Sequence, residues 1–179
     1  MRKLSLFIAA SLDGFIAKTN DDLSFLKMVE KEGEDYGYDA FTANIDTLII
    51  GRKTYDYVLK EIGAEHYDNG QRAVYVITRT QRPDSGKTTF YTGNLAELVL
   101  RLKSETGKNI YCDGGAEVIN ELLKLELVDE LIISVIPILL GNGTRLFKEG
   151  IPEQTLEFMT AKTFDTGLVQ LHYKKKIKS

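Results

Sequence analysis

The chain has 179 residues, 43% of them hydrophobic, and its 23 Lys and Arg stand against 26 Asp and Glu for a net charge of −3. That length and apolar content fit one domain, residues 1–179, with a full core, and the slightly acidic balance excludes an electrostatic hold on nucleic acid. A lone cysteine, Cys112, excludes a disulfide framework and metal-ligand spacing and fits a reducing cytosol, while no run approaches the roughly 20 apolar residues of a membrane-spanning helix.

Arg2-Lys3 ahead of Leu4 to Ala10 has the charged and apolar parts of a secretory leader, but the run is short and Asp13 follows, so it reads as a strand. Further apolar, β-rich runs follow at Thr47 to Ile50, Ala73 to Ile77, Asn109 to Cys112 and Glu130 to Ile136. Helical patterns fall between them: Asp22 to Lys31 with Leu23, Leu26 and Val29 on one face, Asp39 to Asn44, Arg52 to Leu59, Leu95 to Ser104 and Ala116 to Leu123. Asn94 and Asp113 are candidate caps, and Gly63 to Arg72 and Arg79 to Thr89 read as loops. Gly141-Asn142-Gly143 lacks the third glycine of a dinucleotide fingerprint and precedes no helix, so it reads as a tight loop. Leu156 to Phe164 and Gly167 to Tyr173 form a hairpin pattern about Asp165-Thr166-Gly167. Lys174-Lys175-Lys176 and Lys178 read as a solvated, charge-protected strand end. The alternation predicts an α/β fold completed by antiparallel strands.

Three strand exits suit an anion. Ile110 to Cys112 leaves through Asp113-Gly114-Gly115 into a helix beginning at Ala116, where missing side chains let backbone N–H groups approach a phosphate beside the positive end of the helix dipole. Gly51 opens a helix whose first turn carries Arg52, Lys53 and Thr54, a guanidinium fork, a point charge and a hydroxyl. Val76-Ile77 runs out into Thr78-Arg79-Thr80. In an open α/β sheet the crevice beyond the strand ends receives the ligand, so these exits are expected to meet at one sheet edge.

Ser11-Leu12-Asp13-Gly14-Phe15-Ile16-Ala17, Gly51-Arg52-Lys53-Thr54-Tyr55, Asp113-Gly114-Gly115-Ala116 and Pro137-Ile138-Leu139-Leu140-Gly141-Asn142-Gly143-Thr144 occur in that order across nearly the whole chain. In these motifs the chain resembles the dihydrofolate reductase-like superfamily, on the bacterial branch related to the reductase domain of riboflavin biosynthesis. The resemblance implies a three-layer α/β fold with a mixed, mostly parallel sheet, helices on both faces and an antiparallel C-terminal hairpin.

It also implies NADPH as cofactor, with Gly51, Arg52, Lys53 and Thr54 facing its phosphates, Thr78 and Arg79 the adenosine ribose phosphate, and Gly114, Gly115 and Ala116 the pyrophosphate. Ala10 and Ile16 match positions whose backbone meets the nicotinamide amide. The implied partners are a small heterocyclic substrate, pteridine-like or pyrimidine-like, and a second copy of the chain paired through strands of the carboxyl-terminal half, where Ile132 to Ile136 is apolar on both faces. Asp22 sits where true dihydrofolate reductases carry the pterin-binding carboxylate. Its place ahead of an apolar periodic run fits a helix cap equally, so both a catalytic role and a cap stay open. The short loop from Ala17 to Asp22 and the absence of tryptophan set the chain apart from folate enzymes. Tyr55, Phe25 and Leu26 read as core residues rather than pocket walls.

Overall fold

A computed structural model of the chain describes residues 1–63, 66–67 and 71–176; Lys178 and half of the predicted loop 63–72 lie outside the described residues. The sheet has eight strands in the order β5-β4-β3-β6-β1-β7-β10-β9, where β1 is Leu4–Ser11, β3 Ile45–Gly51, β4 Ala73–Ile77, β5 Thr88–Tyr91, β6 Asn109–Gly114, β7 Glu130–Ile136, β9 Leu156–Thr163 and β10 Val169–Lys175. All neighbours through β7 run parallel, and β10 and β9 close the sheet antiparallel. Two short strands, β2 (Phe15–Ala17) and β8 (Thr144–Arg145), pair apart from it.

Period-two alternation divides the side chains between two cores. Leu4, Leu6, Ala10, Ile49, Ile110 and Cys112 face helices α3 (Leu95–Ser104) and α4 (Ala116–Lys124). Leu48, Ile50, Val74, Val76 and Tyr111 pack against α2 (Arg52–Glu61), with Phe7 and residues of the short α1 (Tyr38–Thr42) at the margin. Strands buried on both faces are what a parallel sheet with crossover helices requires. Cys112 belongs to this interior, and burial pushes its thiol up to about 12.

Several expectations change. Asp22 to Lys31 forms no α-helix but a 3-10 turn over Ser24–Val29; the apolar residues at 23, 26 and 29 recur every third position, the period of a 3-10 helix. Arg79 to Thr89 is not all loop, since its end enters β5. Asp113 caps no helix: α4 starts from Gly115 without a side-chain cap, whereas Asn94 does accept the Glu97 N–H of α3. The charged strand end fits its reading through Lys176, with Lys174 paired to Glu157 at 3.0 Å. Among the described residues, no helix is long and apolar enough to cross a membrane.

Candidate functional site

Adjacent strands β3 and β6 send their helices in opposite directions. From β3 the chain crosses through α2 to β4, and from β6 through α4, over β1, to β7. The two helices lie on opposite faces of the sheet, so this is a topological switch point, with a crevice beyond the strand ends. Register places Gly51 beside Ile77 and Ile50 beside Gly114, which brings the three predicted exits to one edge.

At that edge the two turns touch. A Cβ on Gly51 would lie 3.2 Å from Val118 and 3.4 Å from the backbone N of Gly115, and a Cβ on Gly115 would lie 2.6 Å from Thr54 Oγ1. Gly114 has φ +118°, a conformation side chains disfavour. Neither α2 nor α4 has a side-chain hydrogen bond at its N-cap. Their first N–H groups are therefore left for an outside acceptor, in a cradle that a Cβ on Gly51 or Gly115 would crowd.

Arg52 and Thr54 are half-buried and Lys53 exposed in the first turn of α2. Arg52 is not unpaired: Asp56, one turn on, holds its Nη1 at 2.7 Å and receives Arg82 Nη1 at 3.0 Å. Arg82 also stacks over Phe90 at 5.5 Å. Its place at the crevice is absent from the sequence reading because only the fold of residues 79–89 brings it to Asp56. Thr78 is buried, its hydroxyl engaged with the backbone of Thr80, so it shapes the turn that presents Arg79. Arg79 is exposed and makes no hydrogen bond or ion pair among the described residues.

Ala10 is buried near the end of β1, and Ile16 packs on the same core from β2. Between them Asp13 accepts the Ser11 hydroxyl at 2.6 Å and the N–H groups of Leu140 at 3.0 Å and Gly141 at 2.7 Å. These bonds, the Ser11 one foremost, pull its carboxyl down to about 2. Two motifs far apart in sequence are thus one double loop at the β1 and β7 exits.

Beside the crevice lies a cavity of about 720 Å³, on the sheet face opposite α4. Phe7, Ala9, Tyr111 and Ser134 form its floor, Leu26, Val29 and Tyr38 its walls, and residues between Glu30 and Tyr36 its rim. Burial first, then the nearby Asp113 charge, pushes the Tyr38 hydroxyl up to about 12. Beside the floor, two residues along β6 from Tyr111, Asp113 accepts hydrogen bonds from Tyr111, at 2.6 Å, and from Tyr67, and burial raises its carboxyl above the ordinary range.

Leu26 lines the cavity, while Phe25 and Tyr55 are core residues. Asp22 does not line it. Its carboxylate accepts the Ser24 N–H at 2.7 Å, two residues on, and lies 3.9 Å from Lys18; the Ser24 bonds hold it below the usual range, while the 3-10 turn Ser24–Val29 itself starts from Leu23 without a side-chain cap. β7 is not an edge strand; β1 and β10 pair with it on both sides.

Residues 2–170 match the profile of the RibD C-terminal domain family. Two Bacillus subtilis (strain 168) proteins, both uncharacterized, are similar over nearly their whole length: YwjB, 41% identical over 96% of this chain and 97% of its own, and YyaP, 33% identical over 96% and 94%. A crystal structure from Shewanella sp. PV-4, provisionally named a riboflavin biosynthesis protein, superposes with a TM-score of 0.88 at 30% identity over 98% of this chain and 99% of that one. The Thermotoga maritima diaminohydroxyphosphoribosylaminopyrimidine deaminase/5-amino-6-(5-phosphoribosylamino)uracil reductase shares the fold at TM-score 0.70 and 15% identity, over 98% of this chain and 57% of that chain.

Proposed function

Because the chain belongs to the family of RibD C-terminal domains, we propose that it is an NADPH-dependent reductase that transfers hydride to a small pteridine-like or pyrimidine-like heterocycle. The observation that carries this reading is the close approach of the α2 and α4 turns, which leaves no ready room for a Cβ at Gly51 or Gly115 and sets two uncapped helix N-termini side by side at the switch point. Bound NADPH would supply the hydride from its nicotinamide ring.

The protein's part is holding and positioning. Arg52, Lys53, Thr54 and the N–H groups opening α2 grip phosphate, and Gly114, Gly115 and Ala116 let the start of α4 approach the pyrophosphate. Arg79, presented by the Thr78 turn, meets the ribose phosphate, the source of a preference for NADPH over NADH. The backbone at Ala10 and Ile16 orients the nicotinamide amide at the β1 exit, next to Ala9 in the cavity floor. The cavity receives the heterocycle and excludes water.

Titration of NADPH and NADH by fluorescence tests this. Arg52→Ala and Arg79→Ala are each expected to weaken NADPH binding about 10- to 100-fold, the value of a charge-assisted hydrogen bond of about 1.5–3 kcal/mol, and Arg79→Ala to narrow the gap between the two nucleotides. Binding of neither nucleotide would end the reading. Binding without oxidation across dihydropterins and aminopyrimidines would favour a silent nucleotide module.

We also propose that the chain forms a homodimer through the β10–β9 end of the sheet. All eight residues of β9 are exposed, Phe158 at 58% and Met159 at 44%, on an edge strand that proteins ordinarily cover or charge. Sedimentation at micromolar concentration should give twice 20.1 kDa, and Phe158→Glu should give the single mass. A 20.1 kDa species alone from the parent chain would reject the dimer.

A further inference from the structure

The cavity's charge narrows its ligand further than its shape does. Its floor and near wall are aromatic: Phe7 and Tyr38 meet edge to face at 5.6 Å, and Tyr38 and Tyr111 at 6.4 Å. Such a surface takes a flat ring. Ser134 adds a polar group; its hydroxyl accepts Gln170 Nε2 at 3.1 Å, which directs its own proton elsewhere. The rim is a different surface. Glu30, Glu32, Glu34 and Asp35 line it, against one cation, Lys31, whose ammonium is already held by Asp165 at 3.0 Å.

Glu34 and Asp35 are fixed by local backbone bonds, Glu34 accepting the Tyr36 N–H at 2.9 Å and Asp35 those of Gly37 at 2.8 Å and Asp39 at 2.9 Å. Their charges stay at the rim and cannot swing away from an arriving anion. A phosphate ester entering here would meet several carboxylates with no unpaired cation among the lining residues. The cations placed to bind phosphate, Arg52, Lys53 and Arg79, belong instead to the crevice at the β3 and β4 exits.

We propose that the cavity selects a flat, unphosphorylated heterocycle, neutral or cationic, and that its acidic rim turns away phosphate esters. This rests on the reading of the crevice as the cofactor site, since that reading assigns the phosphate-binding groups to NADPH and leaves the cavity to the substrate. It separates this chain's substrate from the phosphoribosyl compound in the name of the Thermotoga maritima protein.

Matched probes that differ by one phosphate test it: riboflavin against flavin mononucleotide, and neopterin against neopterin monophosphate, titrated by fluorescence into the full-length protein saturated with NADP⁺ so that nothing turns over. In at least one pair the unphosphorylated member should bind about tenfold or more tightly than its ester, and the gap should shrink in high salt. Glu30→Lys with Glu32→Lys should also shrink it; both positions are exposed, neither carboxylate makes a hydrogen bond or ion pair among the described residues, Glu30 closes the turn Ser24–Val29 through its backbone N–H alone, and circular dichroism confirms the fold. Esters that bind equally or better, a gap indifferent to the charge reversal, or no binding by any of the four probes would overturn the proposal. NADP⁺ binding, scored first, keeps the two readings apart. Ring discrimination without NADP⁺ binding would sink the reductase reading alone, and NADP⁺ binding without discrimination would sink the rim proposal alone.

Discussion

Gly115→Val should weaken NADPH binding about a hundredfold or more while the chain still folds. The added Cβ would stand 2.6 Å from Thr54 Oγ1, well inside van der Waals contact. Relief has two routes: the Thr54 hydroxyl turns out of the crevice, or the starts of α2 and α4 move apart. Either one damages the surface proposed to hold the cofactor phosphates. The backbone itself is not at fault, since Gly115 has φ −58° and ψ 176°, which valine adopts readily. Overpacking of this kind costs about 1–3 kcal/mol of stability, whereas the loss of two aligned phosphate contacts costs more in affinity. Gly114→Ala reaches the same end by another cause, backbone strain at φ +118°. Titration of NADPH beside a far-ultraviolet melt separates the effects. A folded Gly115→Val protein that binds NADPH within about threefold of the parent would remove the cradle from the account.

Asp113→Ala should lower stability by about 2–3 kcal/mol, because it leaves the buried Tyr67 hydroxyl without its acceptor. Tyr111 suffers less; its hydroxyl also lies 3.1 Å from the Phe7 carbonyl. Asp113→Asn keeps an acceptor of the same size and should cost under about 1 kcal/mol, while changing the pH dependence. Burial raises the Asp113 carboxyl in the folded chain above its ordinary 3.8, so the folded state holds that proton more tightly than the unfolded state. The stability this contributes is fully present below 3.8 and is lost as pH rises through the raised folded value. The asparagine variant should lack that fall. Urea melts from pH 4 upward decide it: an unchanged slope in Asp113→Asn would mean that Asp113 does not titrate as its surroundings require.

The elements that the sequence makes plain share a property: each is specified by neighbours. Ala73–Ile77, Leu95–Ser104 and Glu130–Ile136 take the bounds that periodicity gives them, because alternation or a recurring apolar stripe lies within the segment. Elements without an internal pattern escape. β2 has three residues and β8 two, and each is a strand only because the other is there to pair with it. The turn at Ser24–Val29 reads as an α-helix because an apolar stripe spaced by three is close to one spaced by 3.6.

The candidate site divides along the same line. Gly51 to Thr54, Thr78-Arg79 and Gly114 to Ala116 are visible from sequence because the chemistry of an anion-binding strand exit is local: a strand, a small residue, a helix start. Their convergence is not local. It comes from the strand order, which sets β6 against β3 after a crossover through α3. Arg82 joins Arg52 only through Asp56, and Asp13 reaches Leu140 and Gly141 across 127 and 128 residues.

Residues 1–179 read alone carry the α/β alternation and the three exits, since backbone preference and side-chain period act over a few residues, and their four ordered motifs carry the resemblance to the family. Packing alone sets Asp22 against Ser24, places Asp113 between two tyrosines, and brings aromatic strand residues and an acidic loop around one cavity. Burial, pairing and cavity walls are made by groups that meet only when distant segments pack, and no pattern within a segment records its partner on another strand.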